Sequence, residues 1–187
     1  GYEALAPLEE TYATLAPDVR PLVEILVDSE VNAAHRHRVI AVLKTFDACL
    51  YGSTLLEKHV AERLRYKGFV DYTQEARKVY RASTININAT RPQLRSTVNQ
   101  RIFDVFACGG FLLSDYRAYM DEFLPGYSKQ ICYRSAQELK EKIAFYLENP
   151  KERNKITEYI RQVVISSHTY CCRVAEMLDC INRTVKN

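Results

Sequence analysis

Short apolar runs alternate along the chain with segments whose apolar residues recur at helical spacing. The runs predict strands over 47–51, 67–70, 84–88, 111–113 and 130–133. The helical spacing predicts two helices between Pro17 and Phe46, and further helices over 55–64, 73–81, 98–107, 116–123, 135–149 and, as one or two elements, 151–183. Strands that alternate with helices of this length are typical of a mostly parallel sheet.

The predicted fold class is therefore α/β, a Rossmann-like three-layer sandwich with about five strands and helices on both faces. Residues 1–45 are expected to form an N-terminal helical segment, and residues 46–187 the Rossmann-like domain with extra C-terminal helices. Ligands of such sheets bind beyond the carboxyl ends of the strands. A ligand is therefore expected to bind at the loops that follow Tyr51, Val70, Asn88, Leu113 and Tyr133.

The composition narrows the class of protein. The 187 residues carry a net charge of +3, with 26% charged and 47% hydrophobic positions, which fits a globular domain and excludes a disordered or collagen-like chain. No window approaches 18 consecutive apolar residues and the N-terminus shows no basic-then-apolar pattern, so neither a membrane span nor a secretory leader is expected, although an exported location stays open. The six cysteines form no C-x-x-C pair, so we expect no metal site and a cytoplasmic location.

Charge is distributed unevenly along the chain. Residues 1–50 hold 4 Lys/Arg against 8 Asp/Glu, whereas residues 51–187 hold 22 against 15. The stretch between Glu75 and Asp104 contains no acid and six basic residues, which favours an anionic ligand. Nucleic acid is not an expected partner, because a net charge of +3 is weak for that function.

The segment 99–111 carries a basic and an acidic residue on one face of a predicted helix. No G-x-G-x-x-G, P-loop, H-E-x-x-H or G-x-S-x-G motif occurs anywhere in the chain. Within 99–111, Arg101 and Asp104 share one helix face; an arginine suits a phosphate, and a carboxylate suits two ribose hydroxyls. Amide groups at the start of this helix add to an anion site. A surface salt bridge between Arg101 and Asp104 explains the same spacing, so both interpretations stay open.

The stretch Asn99 to Tyr116, NQRIFDVFACGGFLLSDY, resembles the C-terminal domain of the spore-maturation-type, group 1 glycosyltransferase-like proteins. Further pieces agree in order over residues 36–180: LYG at 50–52, KGFVDY at 67–72, ININ at 85–88, CYRS at 132–135, and HTY at 168–170 with Arg173.

The resemblance implies a GT-B architecture, in which two Rossmann-like domains face a cleft and the C-terminal one binds the nucleotide of an activated sugar. This chain looks like that C-terminal half, so its implied partners are a nucleoside diphosphate sugar and the N-terminal GT-B domain of the full-length protein. The wider family has two glutamates eight residues apart. Asp104 stands at the second, which contacts the ribose, and Ser96 stands at the first, so Asn99 or Arg101 is expected to replace its contact.

Other candidate nucleotide-sugar contacts lie at the ends of the predicted strands. Gly52 follows the first strand and allows close approach of a phosphate, although a glycine there is equally typical of a plain turn. Gly68, Phe69 and Val70 resemble the family's base-binding edge. Asn88 and Thr90 follow the third strand.

Two functions from different classes follow. The first is the donor-binding half of a glycosyltransferase that transfers sugar from a nucleoside diphosphate to an acceptor; this half alone is expected to bind without turnover. It needs no metal cofactor if Arg101 and helix N-termini neutralise the leaving diphosphate. The second is a non-catalytic interaction module that has lost donor binding. The acidic N-terminal helices and the serine at position 96, where the family has a glutamate, favour this alternative.

Overall fold

The computed structural model describes residues 14–91 and 93–185, and the start of the predicted N-terminal segment lies outside them. The strands are β1 Ala48–Leu50, β2 Leu64–Tyr66, β3 Asn86–Asn88, β4 Leu112–Asp115 and β5 Cys132–Tyr133. The helices are α1 Arg20–Leu43, α2 Ala76–Ala82, α3 Gln100–Ala107, α4 Tyr119–Phe123, α5 Ser128–Ile131, α6 Ala136–Glu148, α7 Pro150–Ser167 and α8 Tyr170–Val185, and a 3-10 helix spans Thr54–His59.

All five strands pair in parallel, as the alternation of strands and helices predicts. They form two groups, β1–β2 and β3–β4–β5, rather than one continuous ladder. In the larger group Asn88 pairs with Ser114, and Asp115 pairs with Tyr133. Because the strands are parallel, these four residues lie together at the carboxyl edge of the sheet.

The main core lies between this sheet and the helices on it. Strand β4 is buried along its whole length, as expected for the middle strand of a covered parallel sheet. Helix α3 buries Ile102, Val105 and Phe106 completely, and contacts α7 on its other side. The apolar face of α3 therefore fixes its position against the sheet, and its polar residues face the carboxyl edge or solvent.

Helix α3 ends in a tight turn that brings the chain directly into β4. Gly109 has a φ of 78° and donates to the carbonyl of Phe106, while Gly110 donates to the carbonyl of Val105. This pair of bonds is a Schellman motif, in which a left-handed residue satisfies the last helix carbonyls. At Gly110 an added Cβ would lie 2.5 Å from the Tyr80 carbonyl oxygen, so the close approach of two backbones requires glycine.

Three sequence predictions about the first half of the chain were wrong. Pro17 to Phe46 contains one continuous helix rather than two, because no Gly or Pro interrupts the polar stretch in its middle. The second strand is Leu64–Tyr66 rather than 67–70, and the predicted helix over 55–64 is only a short 3-10 helix. The buried Leu64 begins the strand, and Gly68, with a φ of 85°, turns the chain out of it.

Gly110→Ala is expected to lower the free energy of unfolding by about 2–3 kcal/mol, because the new methyl group has to displace the Tyr80 backbone. Urea unfolding of the Gly110→Ala variant and of the unmodified chain measures the difference in the free energy of unfolding. Gly126→Ala is the matched control: its φ of 82° is also left-handed, but no atom lies within 4 Å of the added Cβ, so it loses only about 1 kcal/mol. Equal losses in the two variants would contradict the close approach.

Candidate functional site

The buried amide of Asn88 joins strand β3 to the start of helix α3. Its Oδ1 accepts hydrogen bonds from Asn99 Nδ2 and Arg101 Nη1, both at 3.0 Å. Its Nδ2 donates to Thr90 Oγ1 at 3.2 Å and to Ser114 Oγ at 3.0 Å. Asn88 is fully buried, so each of these bonds replaces water that the amide has lost. The structure thus brings together four residues that the sequence predicts separately: Asn88, Thr90, Asn99 and Arg101.

The amino-terminal end of α3 keeps backbone amides free of side-chain caps. Asn99 is the N-cap residue, but its side chain bonds to Asn88 instead of accepting from the first helical turn. The guanidinium of Arg101 lies at the same end of the helix, held by Asn88. Uncapped amides and a cation at one helix end favour a bound anion.

A buried carboxylate, Asp115, orders the loop after β3. Its Oδ1 accepts from the backbone amide of Thr90 at 2.7 Å, and its Oδ2 lies 2.8 Å from Arg117 Nη2. On the other side, His35 Nε2 from helix α1 lies 3.7 Å from Asp115 Oδ2. Burial lowers the pKa of His35, and the negative charge of Asp115 opposes that effect. Asp115 therefore anchors the 88–91 loop at the carboxyl edge of the sheet, and helix α1 places His35 beside it without a hydrogen bond.

Asp104 occupies a different corner of helix α3. Its Oδ2 accepts a hydrogen bond from the Tyr72 hydroxyl at 2.7 Å. Gln100 Nε2 donates to that same hydroxyl at 2.6 Å and to the Tyr170 hydroxyl at 2.8 Å. Partial burial and the hydrogen bond to Asp104 raise the pKa of Tyr72 above its ordinary value of 10.0. Tyr72 and Tyr170 are 53% and 75% exposed, so Gln100 links two open aromatic rings, one of which bonds to the carboxylate.

The structure contradicts a salt bridge between Arg101 and Asp104. Both residues are among those described, and their charged groups do not come within 4.0 Å of each other. Arg101 bonds to Asn88 and Asp104 bonds to Tyr72, so one turn of helix holds a cation and a carboxylate apart.

The remaining predicted residues lie at the ends of β1 and β2. Gly52 donates its amide to the carbonyl of Gly68 at 2.9 Å, so these two glycines are neighbours. Phe69 is 77% exposed and Val70 is half-buried. No hydrogen bond among the described residues links Phe69 or Val70 to Asn88 or Asp104. Their roles in binding a base stay predictions, as does a phosphate contact at Gly52.

Four residues that lie around Asp104 and Asp115 are not among the predicted site residues: Tyr72, Gln100, Tyr170 and His35. Tyr72 and Tyr170 belong to the KGFVDY and HTY motifs, which were the available signal in the sequence, and the structure joins them through Gln100. His168, in the same HTY motif, packs its ring against Phe123 at 4.7 Å, which supports a structural role.

Neither a metal site nor a membrane span occurs among the residues that the structure describes. In the part of the chain that the structure describes, no group of three or more His, Cys, Asp or Glu side chains is placed to hold a metal ion. None of the helices within 14–91 and 93–185 is both long and apolar enough to cross a bilayer. The six cysteines, all within those ranges, are free thiols.

Comparison with known proteins gives three findings. The profile of a family described as glycosyl transferase-like matches residues 33–179. Spore protein CgeB of Bacillus subtilis (strain 168) is 33% identical over 93 residues, covering 44% of this chain and 28% of CgeB. The crystal structure of a glycosyltransferase from Rickettsia africae ESF-5 matches with a TM-score of 0.64 at 15% identity, covering 94% of this chain and 54% of that one.

These similarities confirm the predicted α/β, Rossmann-like fold and the group 1 glycosyltransferase-like resemblance. The structural similarity, at 15% sequence identity, supports a shared fold and no shared activity. The chain spans 28% of CgeB and 54% of the Rickettsia protein, so it corresponds to only part of each.

The pH dependence of unfolding tests the burial of His35 beside Asp115. Because the pKa of His35 in the folded protein lies below 6.5, the unfolded chain binds the proton first as the pH falls. The free energy of unfolding should therefore decrease below about pH 6.5, and His35→Gln should make that decrease smaller. Urea unfolding at pH 7.5, 6.5 and 5.5 measures it. Identical pH dependence in both proteins would show that His35 is not desolvated at this position.

Proposed function

We propose that this chain, which belongs to the glycosyl transferase-like family, is the donor-binding part of a glycosyltransferase that uses a nucleoside diphosphate sugar. The observation that carries the proposal is the division of helix α3 into a cationic corner at Arg101 and an acidic corner at Asp104. Residues three apart on a helix have Cβ atoms about 5–6 Å apart, which is on the order of the span from a ribose ring to its phosphate.

The acidic corner suits the nucleoside. A carboxylate accepts hydrogen bonds only, and vicinal ribose hydroxyls are donors that can replace the Tyr72 hydroxyl at Asp104. The exposed rings of Tyr72 and Tyr170 offer faces on which a base can stack. Phe69, three residues before Tyr72, adds a further exposed ring to the same loop.

The cationic corner suits the diphosphate. In glycosyl transfer the bond between the anomeric carbon and a diphosphate oxygen breaks, a bond to the acceptor oxygen forms, and the diphosphate leaves with added negative charge. Arg101 and the uncapped amides of α3 are placed to stabilise that charge. We propose that they do so without a divalent cation.

The acceptor and the second wall of the cleft are assigned to a part of the protein outside this chain. This assignment rests on the chain spanning 54% of the Rickettsia glycosyltransferase and 28% of CgeB. We propose an N-terminal GT-B domain of the same protein as that partner. The present chain is then expected to bind the donor without transferring its sugar.

A non-catalytic interaction module is the second candidate. Helix α8 favours it, because one face of this helix exposes Val174, Met177, Leu178 and Ile181, each more than half accessible to solvent. Such an apolar stripe on a helix is typical of a docking surface. The two functions differ in whether the chain binds nucleotides.

Asp104→Asn is expected to weaken nucleoside diphosphate binding by about 1–3 kcal/mol, because the neutral amide loses acceptor capacity for the ribose hydroxyls. Calorimetric titration of the chain with UDP, GDP, ADP and TDP and their sugars identifies the base and measures the loss. Asp179→Asn on α8 is the control with the same charge change. If no nucleotide binds at millimolar concentration, the interaction module is favoured instead.

Tyr72→Ala is expected to weaken the preferred nucleotide by about 1–3 kcal/mol through lost base stacking. Tyr72→Phe keeps the ring, removes the hydroxyl from Asp104, and should bind at least as tightly as the unmodified chain. The same titration measures both variants. Equal losses in the two would assign the effect to the hydroxyl and contradict stacking.

A further inference from the structure

A cavity of about 310 Å³ opens at the carboxy-terminal end of helix α3, a volume in the range of pockets that hold small molecules. It is lined from α2, from the turn after α3 and from α7, by residues that include Arg81, Cys108, Gly109, Asn154, Glu158 and Arg161. The turn leads directly into β4, so the cavity lies at the amino edge of the sheet. Helix α3 has eight residues, so about 12 Å separate this cavity from the helix end that carries the proposed donor site.

The main-chain carbonyls of the last turn of α3 are already hydrogen-bonded. Those of residues 104–106 accept from amides within 108–110. The carbonyl of Ala107 accepts from Arg161 Nε at 3.3 Å. Since the protein itself satisfies this helix end, the side chains that line the cavity decide which ligand it favours.

Arg161 of α7 is held in place along its length. Its Cδ lies 3.9 Å from the position of a Cβ added at Gly109, and its Nε donates to the carbonyl of Ala107. Within the described residues its two terminal nitrogens pair with no carboxylate. A guanidinium group that is fixed at Nε and open at both Nη atoms presents two donors in the geometry that binds an oxyanion.

Positive charge outweighs negative charge on the walls of this cavity. Arg81 forms neither a side-chain hydrogen bond nor a salt bridge in the part of the chain that the structure describes. Glu158, the acid among the lining residues, accepts a hydrogen bond from Gln162 instead of pairing with an arginine. Burial raises the pKa of the Cys108 thiol, so this group adds no negative charge at neutral pH. Two unpaired guanidinium groups in one cavity favour an anionic occupant.

We propose that this cavity binds a small molecule that carries a phosphate monoester, whose phosphate is held between Arg81 and Arg161. A phosphate monoester has close to two negative charges at neutral pH and several acceptor oxygens, so it matches two guanidinium groups better than a carboxylate does. Asn154 offers an amide and Glu158 a carboxylate to hydroxyl groups on the rest of the molecule. This second site does not depend on what binds at the other end of α3.

The test titrates inorganic phosphate, glucose 6-phosphate and neutral glucose into the whole chain while amide resonances are followed by NMR. The phosphates should shift the amides of Gly109 and Gly110, and glucose should not. Arg81→Gln and Arg161→Gln should each weaken phosphate binding about tenfold, because a hydrogen bond to a charged group is lost. Glu158→Gln should strengthen it about twofold, because a like charge is removed.

Arg63→Gln is the matched control, since it removes the same charge from an exposed residue beside β2 and should leave phosphate binding unchanged. Shifts confined to residues 98–101, or no shift with either phosphate at millimolar concentration, would overturn the inference. Equal binding of glucose and glucose 6-phosphate would contradict an anion site. Arg161→Gln also loses the bond to Ala107, so unchanged binding by Arg81→Gln, which has no such bond, would by itself reject the proposal.

These outcomes are separate from the test of donor binding, because the expected loss of nucleotide affinity in Asp104→Asn concerns the other end of α3. Thermal unfolding of each variant confirms that it is folded.

Discussion

The carboxyl edge of the sheet depends on one buried amide. Asn88 has no access to solvent, and both ends of its side chain are used: the oxygen by Asn99 and Arg101, the nitrogen by Thr90 and Ser114. An amide is suited to this position because it presents an acceptor and a donor together. An aliphatic residue would leave several buried polar groups unpaired, each at a cost of about 1–3 kcal/mol. The same amide therefore sets the start of α3 and the path of the loop after β3.

The separation of charge along α3 follows from that arrangement. Asn88 bonds to Arg101 at the sheet edge, while Asp104 accepts from Tyr72, whose hydroxyl in turn accepts from Gln100. A direct salt bridge between Arg101 and Asp104 would neutralise both groups and leave little for a ligand. Because each is bound by a neutral partner instead, a full positive and a full negative charge stay available within one helical turn.

The sequence predicts the elements of this edge better than the contacts between them. The position of Asn88 at the end of the third predicted strand indicates a site residue, as does the spacing of Arg101 and Asp104 on one helix face. Both are local patterns, which a single sequence displays. The continuous α1 and the early start of β2 were not predicted, because the burial of Leu64 and of Val39 is decided by packing partners far along the chain. Tyr170 meets Gln100 across 70 residues, a pairing that no local pattern contains.

The solvent exposure of the proposed donor site indicates which steps of donor binding this chain performs and which require another part of the protein. Tyr72 and Phe69 are more than half exposed, and Arg101 is also on the surface, so water screens the charges that would hold a diphosphate. A second wall that excludes water would strengthen every one of these interactions without moving a residue. The four hydrogen bonds of the buried Asn88 side chain lie within this chain, whereas the surface beside them is open to water. We infer that the chain positions the ligand groups, and that desolvation of the donor comes from the part of the protein that faces them.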